Sequence, residues 1–224
     1  MKCIFKLMKK YFFVIVASCL GSHVIAQTAV RNEPRHHNVF ENDYVRVLDV
    51  WLAPGDTTRF HIHATPSVFI FLTKTTTSAQ LMGQQPARGT SVAGTSTYDS
   101  LVTPRIHRVW NEDTSWFHVM DVELVASAPH VNEPVLQKDV MQLLFDEREV
   151  RGYHVQLHSE GSFRLPSSKT GYLLVSLGDA LVTFQSNRII QHRLMKPGHY
   201  LWIDPGMELT IKTGSSAFTL LQLK

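Results

Sequence analysis

Short runs typical of β-strands constrain this chain more than any other feature. From Asp43 to Lys224, runs rich in Val, Ile, Phe, Tyr and Trp alternate with clusters of Gly, Pro, Asn and Asp, which are typical of turns. Helical periodicity is weak and confined to residues 135–145, where one short helix or a strand would cross between two halves. Many short strands favour a sandwich or a barrel. We therefore predict an all-β fold with two small barrels in tandem.

The first 26 residues are predicted to be a secretory signal peptide. Four lysines precede an apolar run over residues 11–20, and the segment ends in Val24-Ile25-Ala26. The run is too short for a membrane-spanning helix of roughly 20 residues, so we expect no transmembrane segment. The mature chain would start at Gln27 and be exported to the periplasm or the extracellular space. The alternative is a lipoprotein anchored at Cys19, because residues 16–19 resemble a lipidation motif.

Removal of the signal changes what the composition implies. The full chain has a net charge of +3, and the signal carries four of its positive charges as lysines. The mature chain is therefore close to neutral. Because no basic run remains, neither nucleic acid nor an anionic membrane surface is an expected partner. Both cysteines lie in the signal, so the mature chain has to be stable in an oxidising compartment without disulfides.

Five segments are expected along the chain. They are the signal at 1–26, an N-terminal arm at 27–39, a first barrel at 40–125, a linker at 126–146 and a second barrel at 147–224. The arm is polar, and we expect His36 and His37 to be solvated. Residues 84–100 are rich in Gly, Ser and Thr and predict a solvated surface loop with one edge strand at most; the alternative is that the loop forms the rim of a pocket.

The segment His61-Ile62-His63 carries the clearest chemical signal. Side chains two apart on a strand point to the same face, with Cα atoms roughly 6.6 Å apart, so two imidazoles can reach one ion. A third nitrogen from another strand would complete a facial arrangement with open positions, and His107 is the natural candidate. The alternative is a set of hydrogen-bonded histidines in an empty barrel.

At these residues the chain resembles the cupin superfamily. Gly55, His61 and His63 match the first cupin motif, a glycine and five residues followed by His-x-His. His107 and Asn111 match the histidine and asparagine of the second motif. The resemblance implies double-stranded β-helical (jelly-roll) barrels and a metal ion bound by His61, His63 and His107.

Three positions of the first half depart from the cupin pattern. Ser67 and Val68 occupy the two places where the family glutamate ligand could fall, and Pro104 stands where the second motif has a glycine. The first barrel would then hold one divalent transition metal in a three-histidine centre, with Fe, Mn, Ni, Cu and Zn not distinguished, or no metal. In the second half Ser167 and Lys169 occupy the places of the first-motif histidines, so a degenerate barrel is expected.

Four further residues are candidates for contacts with the ligands or the substrate. His118 alternates with apolar residues on the more apolar face of its strand and is therefore expected to face inward. Arg59 shares parity with His61 and would either hold a substrate carboxylate or form a salt bridge. Ser67 and Asn111 complete the set.

Two functional hypotheses follow. The first is a metal-dependent small-molecule enzyme, a dioxygenase or an isomerase-like protein, that binds an anionic or enol-like substrate. The second is an exported binding or accessory protein that holds a ligand without turnover. A homo-oligomer through β-strand faces is left open.

Overall fold

Strands occupy most of the chain. The computed structural model describes residues 28–125, 131, 133–158, 161–186 and 189–224. Within these ranges there is no α-helix, and the 3-10 turn Val30–Asn32 follows the first strand. The predicted all-β fold is confirmed. The predicted signal lies outside the described residues, and no helix of the described part is long and apolar enough to cross a membrane.

The first half is a sandwich of two sheets. The sheet that we call the histidine sheet contains β1 (Thr28–Ala29), β4 (His61–His63), β6 (Thr76–Leu81), β7 (Ala87–Thr90) and β9 (Arg105–Asn111). Its order is β1-β4-β9-β6-β7. The sheet that we call the shared sheet contains β2 (His36–Glu41), β3 (Val45–Leu52), β5 (Ser67–Phe71), β8 (Ser96–Asp99) and β10 (Phe117–Leu124). Its order is β2-β3-β10-β5-β8.

The second half repeats this arrangement. Its larger sheet contains β11 (Met141–Asp146), β12 (Val150–Leu157), β14 (Tyr172–Ser176), β17 (Tyr200–Ile203) and β19 (Ser216–Leu223). The strand order is β11-β12-β19-β14-β17. The smaller sheet contains β13 (Gly161–Leu165), β15 (Ala180–Ser186), β16 (Ile189–Met195) and β18 (Leu209–Thr213), in the order β13-β18-β15-β16. The chain therefore consists of two jelly-roll barrels in tandem, each built from two facing sheets that are not closed into one ladder.

Two segments expected to be irregular contain strands. The segment 84–100 includes β7 and β8 rather than one edge strand, although Gln84 and Gln85 do line a cavity as expected of a rim. The end of the expected linker forms β11, which pairs with β12 of the second barrel. Residues 126–130 and 132 of that linker lie outside the described part.

The shared sheet is buried on both of its faces. Every residue of β10 is buried, because alternate side chains enter two different cores. Phe117 and Val119 face the interior of the first barrel, whereas Met120 and Val122 pack against Leu173 and its neighbours in the second. At about 1.5–3 kcal/mol for each fully buried apolar side chain, this contact stabilises the pair of barrels without a disulfide.

The second barrel is filled by its own side chains. Its core contains large rings that are almost unexposed, including those of Tyr153, Tyr172 and Phe218. The four histidines of this half are not among the core residues: His154, His158, His192 and His199. This half therefore has no enclosed imidazole cluster in its described residues.

Candidate metal centre

Three predicted ligands converge inside the first barrel. His61 and His63 are 0% and 1% exposed, and their Nε2 atoms lie 3.0 Å apart. His107 stands opposite His61 in the ladder between β4 and β9, and its ring centroid is 4.7 Å from that of His61 and 4.8 Å from that of His63. Two nitrogens that bind one ion at right angles, each about 2.1 Å from it, are about 3.0 Å apart. The spacing of His61 and His63 therefore suits two neighbouring positions on one ion.

A fourth imidazole, which sequence reasoning missed, joins this cluster. His36 is 8% exposed, and its ring centroid lies 4.7 Å from that of His61. His36, His61 and His63 each have one ring nitrogen that lies within 4.8 Å of the corresponding nitrogens of the other two. The expectation of a solvated arm is wrong for His36, whereas His37 is exposed. The reason is the pairing of β2 with β3, which places His36 opposite Val50, a residue of the cavity wall.

Glu33 orients the ring of His36. Its Oε2 accepts a hydrogen bond from His36 Nδ1 at 2.8 Å and from the Arg35 amide at 2.7 Å, and its Oε1 accepts from the Arg59 amide at 3.1 Å. Burial by itself would raise the pKa of Glu33, but these hydrogen bonds hold it below its usual value. With Nδ1 engaged in this way, Nε2 is left free to act as a ligand.

The imidazoles of His61, His63 and His107 are held in their neutral form. Burial, assisted by the charges of neighbouring imidazoles, lowers the pKa of His61 to about 4, of His107 to about 3 and of His63 to about 2. Neutral imidazole is the form that binds metal ions. At neutral pH these rings can therefore offer lone pairs without first losing a proton.

A cavity of about 410 Å³ adjoins the cluster. Most of its wall is apolar and includes Leu52, Phe69, Phe71 and Phe117. The polar side chains on the wall are those of the four histidines and of Thr58, Thr77, Gln84, Gln85, Arg105 and Asp121. A partly open cavity with a mainly apolar wall and convergent polar groups is a usual form of a small-molecule site.

The other predicted contacts lie apart from the cluster. Arg59 is exposed and its side chain is not on the cavity wall, but its carbonyl accepts a hydrogen bond from His61 Nδ1 at 2.8 Å. The parity argument fails for Arg59 because β4 begins only at His61. Asn111 donates to the carbonyls of Leu52 at 3.1 Å and Ser115 at 2.7 Å, so it closes the hairpin. Ser67 is fully buried and donates to a neighbouring carbonyl at 3.1 Å.

His118 points away from the cavity, contrary to expectation. Its Nε2 is 2.6 Å from Asp49 Oδ1, and its ring stacks on Trp51 with centroids 3.5 Å apart. The ring reaches the second barrel at Gly198, where a Cβ would come within 2.9 Å of it. The apolar parity of β10 faces the other barrel, because the shared sheet has a core on each side. The more apolar face of β10 is therefore not the face that lines the cavity of the first barrel.

Two further polar residues on the cavity wall were not predicted. Asp121 lies on the same face of β10 as Phe117 and Val119, and burial raises its pKa to about 8. Arg105 lies on β9 two residues before His107 and forms a salt bridge with Asp99. Both share a strand face with residues of the cavity, which is the signal that could have found them.

Two jelly-roll barrels, one with an enclosed imidazole cluster and the other filled, define a two-barrel β protein with one candidate metal centre. No protein-family model matches the sequence, and sequence comparison finds no curated relative. Solved structures do match. YhaK from Escherichia coli superimposes with a TM-score of 0.56 at 15% identity, over 84% of this chain and 90% of that one.

Two further structures carry the same fold. A cupin 2 conserved barrel domain protein from Leptotrichia buccalis gives a TM-score of 0.56 at 10% identity, over 84% of this chain and 88% of that one. Salicylate 1,2-dioxygenase from Pseudoaminobacter salicylatoxidans, in a structure with gentisate, gives 0.59 at 8% identity, over 82% and 70%. The chain therefore has the cupin fold, and the likeness extends over both barrels.

Proposed function

We propose that this protein binds one divalent transition metal in its first barrel and acts on a small molecule in the adjoining cavity. The ligands are His61, His63 and His107, with His36 from the arm as a fourth. The observation that carries the proposal is the convergence, beside a cavity, of the buried rings of His36, His61 and His63 and the partly buried ring of His107. Three of these rings have strongly lowered pKa values.

The donor set fits such an ion. Imidazole is a common ligand of Zn, Cu, Fe and Ni, and four neutral rings leave the charge of the cation uncompensated. A bound metal would act as a Lewis acid that polarises an anionic or enol-like substrate. The residues of this chain would hold the ion and exclude bulk water through the apolar wall around Phe69, Phe71 and Phe117. This reading corresponds to a dioxygenase or an isomerase-like enzyme.

Metal analysis of the purified protein tests the centre, with His107→Ala as the main variant. We expect the wild type to hold about one ion per chain and His107→Ala to hold much less, because three ligands fix a face of the coordination sphere and two do not. His199→Ala is the matched control, since His199 is exposed on the second barrel and should not affect metal content. Unchanged β-sheet circular dichroism would show that the fold survives. A wild type without metal, or a His107→Ala variant that retains it, would contradict the proposal.

The second candidate is a binding or accessory protein without turnover. It is favoured by the wall of the cavity, which is mostly apolar and whose Arg105 is already paired with Asp99. The two candidates differ in one measurement. An enzyme of the dioxygenase type should consume dioxygen with a phenolic or enolisable compound and ferrous ion, whereas a binding protein should show only an increase in Tm with its ligand.

Export completes the proposal. The signal at residues 1–26 would direct the chain to the periplasm or outside the cell, with Cys19 as the lipid-anchored alternative. The intact mass of the exported chain tests this part, because cleavage before Gln27 leaves no cysteine in the protein.

A further inference from the structure

Asp121 is a buried carboxyl group without a hydrogen-bond partner. Its side chain is 1% exposed and lines the cavity, and neither Oδ1 nor Oδ2 has a partner at hydrogen-bond distance within the described residues. Burial raises the pKa of Asp121, and the Ser67 hydroxyl lies close enough to lower it in part, but this hydroxyl donates its hydrogen bond to the Thr65 carbonyl at 3.1 Å. A buried polar group left unpaired destabilises the folded state, so few native proteins keep one without a reason. The position also breaks the apolar pattern of its strand face, where Phe117 and Val119 precede it.

His63 is the second unpaired group at this place. Its Nε2 faces the cluster, 3.0 Å from His61 Nε2, while its Nδ1 has no hydrogen-bond partner. That Nδ1 lies 3.6 Å from Asp121 Oδ2, which is longer than a hydrogen bond. A shift of roughly half an ångström would bring the two atoms within bonding distance. Each group thus offers what the other lacks.

We propose that Asp121 is a positioning residue for His63, accepting a hydrogen bond from its Nδ1 when its Nε2 binds the metal. The inference rests on the proposed metal centre. An imidazole that binds through Nε2 carries its proton on Nδ1, and a carboxyl oxygen that accepts this N–H fixes the ring orientation and strengthens the ligand. The same site already contains one such pair, since Glu33 accepts from His36 Nδ1 at 2.8 Å.

The proposal makes stability and metal affinity respond in opposite directions. Replacing Asp121 by valine removes an unpaired buried carboxyl group and installs a residue that suits a strand, so the metal-free protein should gain a few degrees in Tm. Metal affinity should fall by about 10–100-fold, as is usual when the partner of a ligating histidine is lost. Asp121→Asn keeps one acceptor oxygen and should show a smaller loss. A carboxyl group that serves only the fold would give the reverse, a lower Tm with unchanged affinity.

The test measures Co²⁺ affinity, the Co²⁺ absorption spectrum and the Tm of the metal-free protein. The variants are Asp121→Val and Asp121→Asn, each also combined with His63→Ala. If Asp121 acts through His63, Asp121→Val should weaken binding in the wild-type background and change it by less than twofold in the His63→Ala background. Asp49→Asn is the matched control, because Asp49 pairs with His118 at 2.6 Å away from the cavity.

The outcomes separate this inference from the proposed function. Weaker binding, an altered spectrum and a Tm that does not fall support the role of Asp121. If the wild type binds Co²⁺ and Asp121→Val binds within twofold of it with the same spectrum, the inference is wrong and the metal centre stands. If the effect of Asp121→Val is the same with and without His63, Asp121 does not act through that ring. A wild type that binds no Co²⁺ overturns both.

Discussion

Replacing His36 with alanine removes the imidazole that the arm adds to the cluster. Four-ligand metal sites contribute about 10–16 kcal/mol of binding free energy, or roughly 3 kcal/mol for each ligand, which corresponds to about 100-fold in affinity. The candidate ligand nitrogens of His36, His61 and His63 all lie within 4.8 Å of one another, whereas neighbouring ligands on one ion lie about 3.0–3.4 Å apart. Any contraction of the set on binding offsets part of this free energy, so we expect His36→Ala to lower the metal affinity by about 10–100-fold.

The fold should survive this substitution. Glu33, the partner of His36, keeps its hydrogen bonds from the amides of Arg35 at 2.7 Å and Arg59 at 3.1 Å, so its carboxylate is not left unpaired. Zn²⁺ titration against a competing chelator measures the affinity, and circular dichroism checks the sheets. His37→Ala is the matched control, since the neighbouring ring is exposed. If His36→Ala binds as tightly as the wild type while His107→Ala does not, a three-histidine centre is correct and His36 is not a ligand.

Two further predictions concern the contacts around the site. Gly198→Ala should lower the Tm more than Gly206→Ala does. Both glycines have a positive φ, 83° at Gly198 and 80° at Gly206, so alanine is strained at either position. Of the two, only Gly198 has a neighbour that the new Cβ would meet, the ring of His118 at 2.9 Å. The hydrogen bonds from Arg35 hold the pKa of Asp56 below its usual value. The stability that this pair contributes is therefore complete above the ordinary aspartate pKa. It is lost as the pH falls through the lowered pKa of the folded protein. Unfolding curves between neutral pH and about pH 2 should show this loss for the wild type, and a smaller one for Asp56→Asn. Equal Tm values of the two glycine variants would contradict the first prediction. An equal pH dependence of the wild type and Asp56→Asn would contradict the second.

Local pattern predicted most of the strands and the pair of histidines that share one. The alternation of a strand places His61 and His63 on the same face wherever that strand lies, so their cooperation could be read without any knowledge of the fold. The absence of ligand spacing in the second half is equally local, and Ser167 and Lys169 occupy the positions where histidines would be needed. These inferences depend only on residues a few positions apart.

Tertiary structure decided which strand faces meet in the cavity. The alternation in a sequence shows that two side chains share a face but does not show which face is inside, and in a sheet buried on both sides the apolar face is not a guide. His118 therefore pointed to the neighbouring barrel, while Asp121, on the less apolar face, lines the cavity. His36 entered the cluster through the ladder between β2 and β3, which pairs it with Val50. Such pairings join residues that are distant along the chain, so no local pattern could determine them.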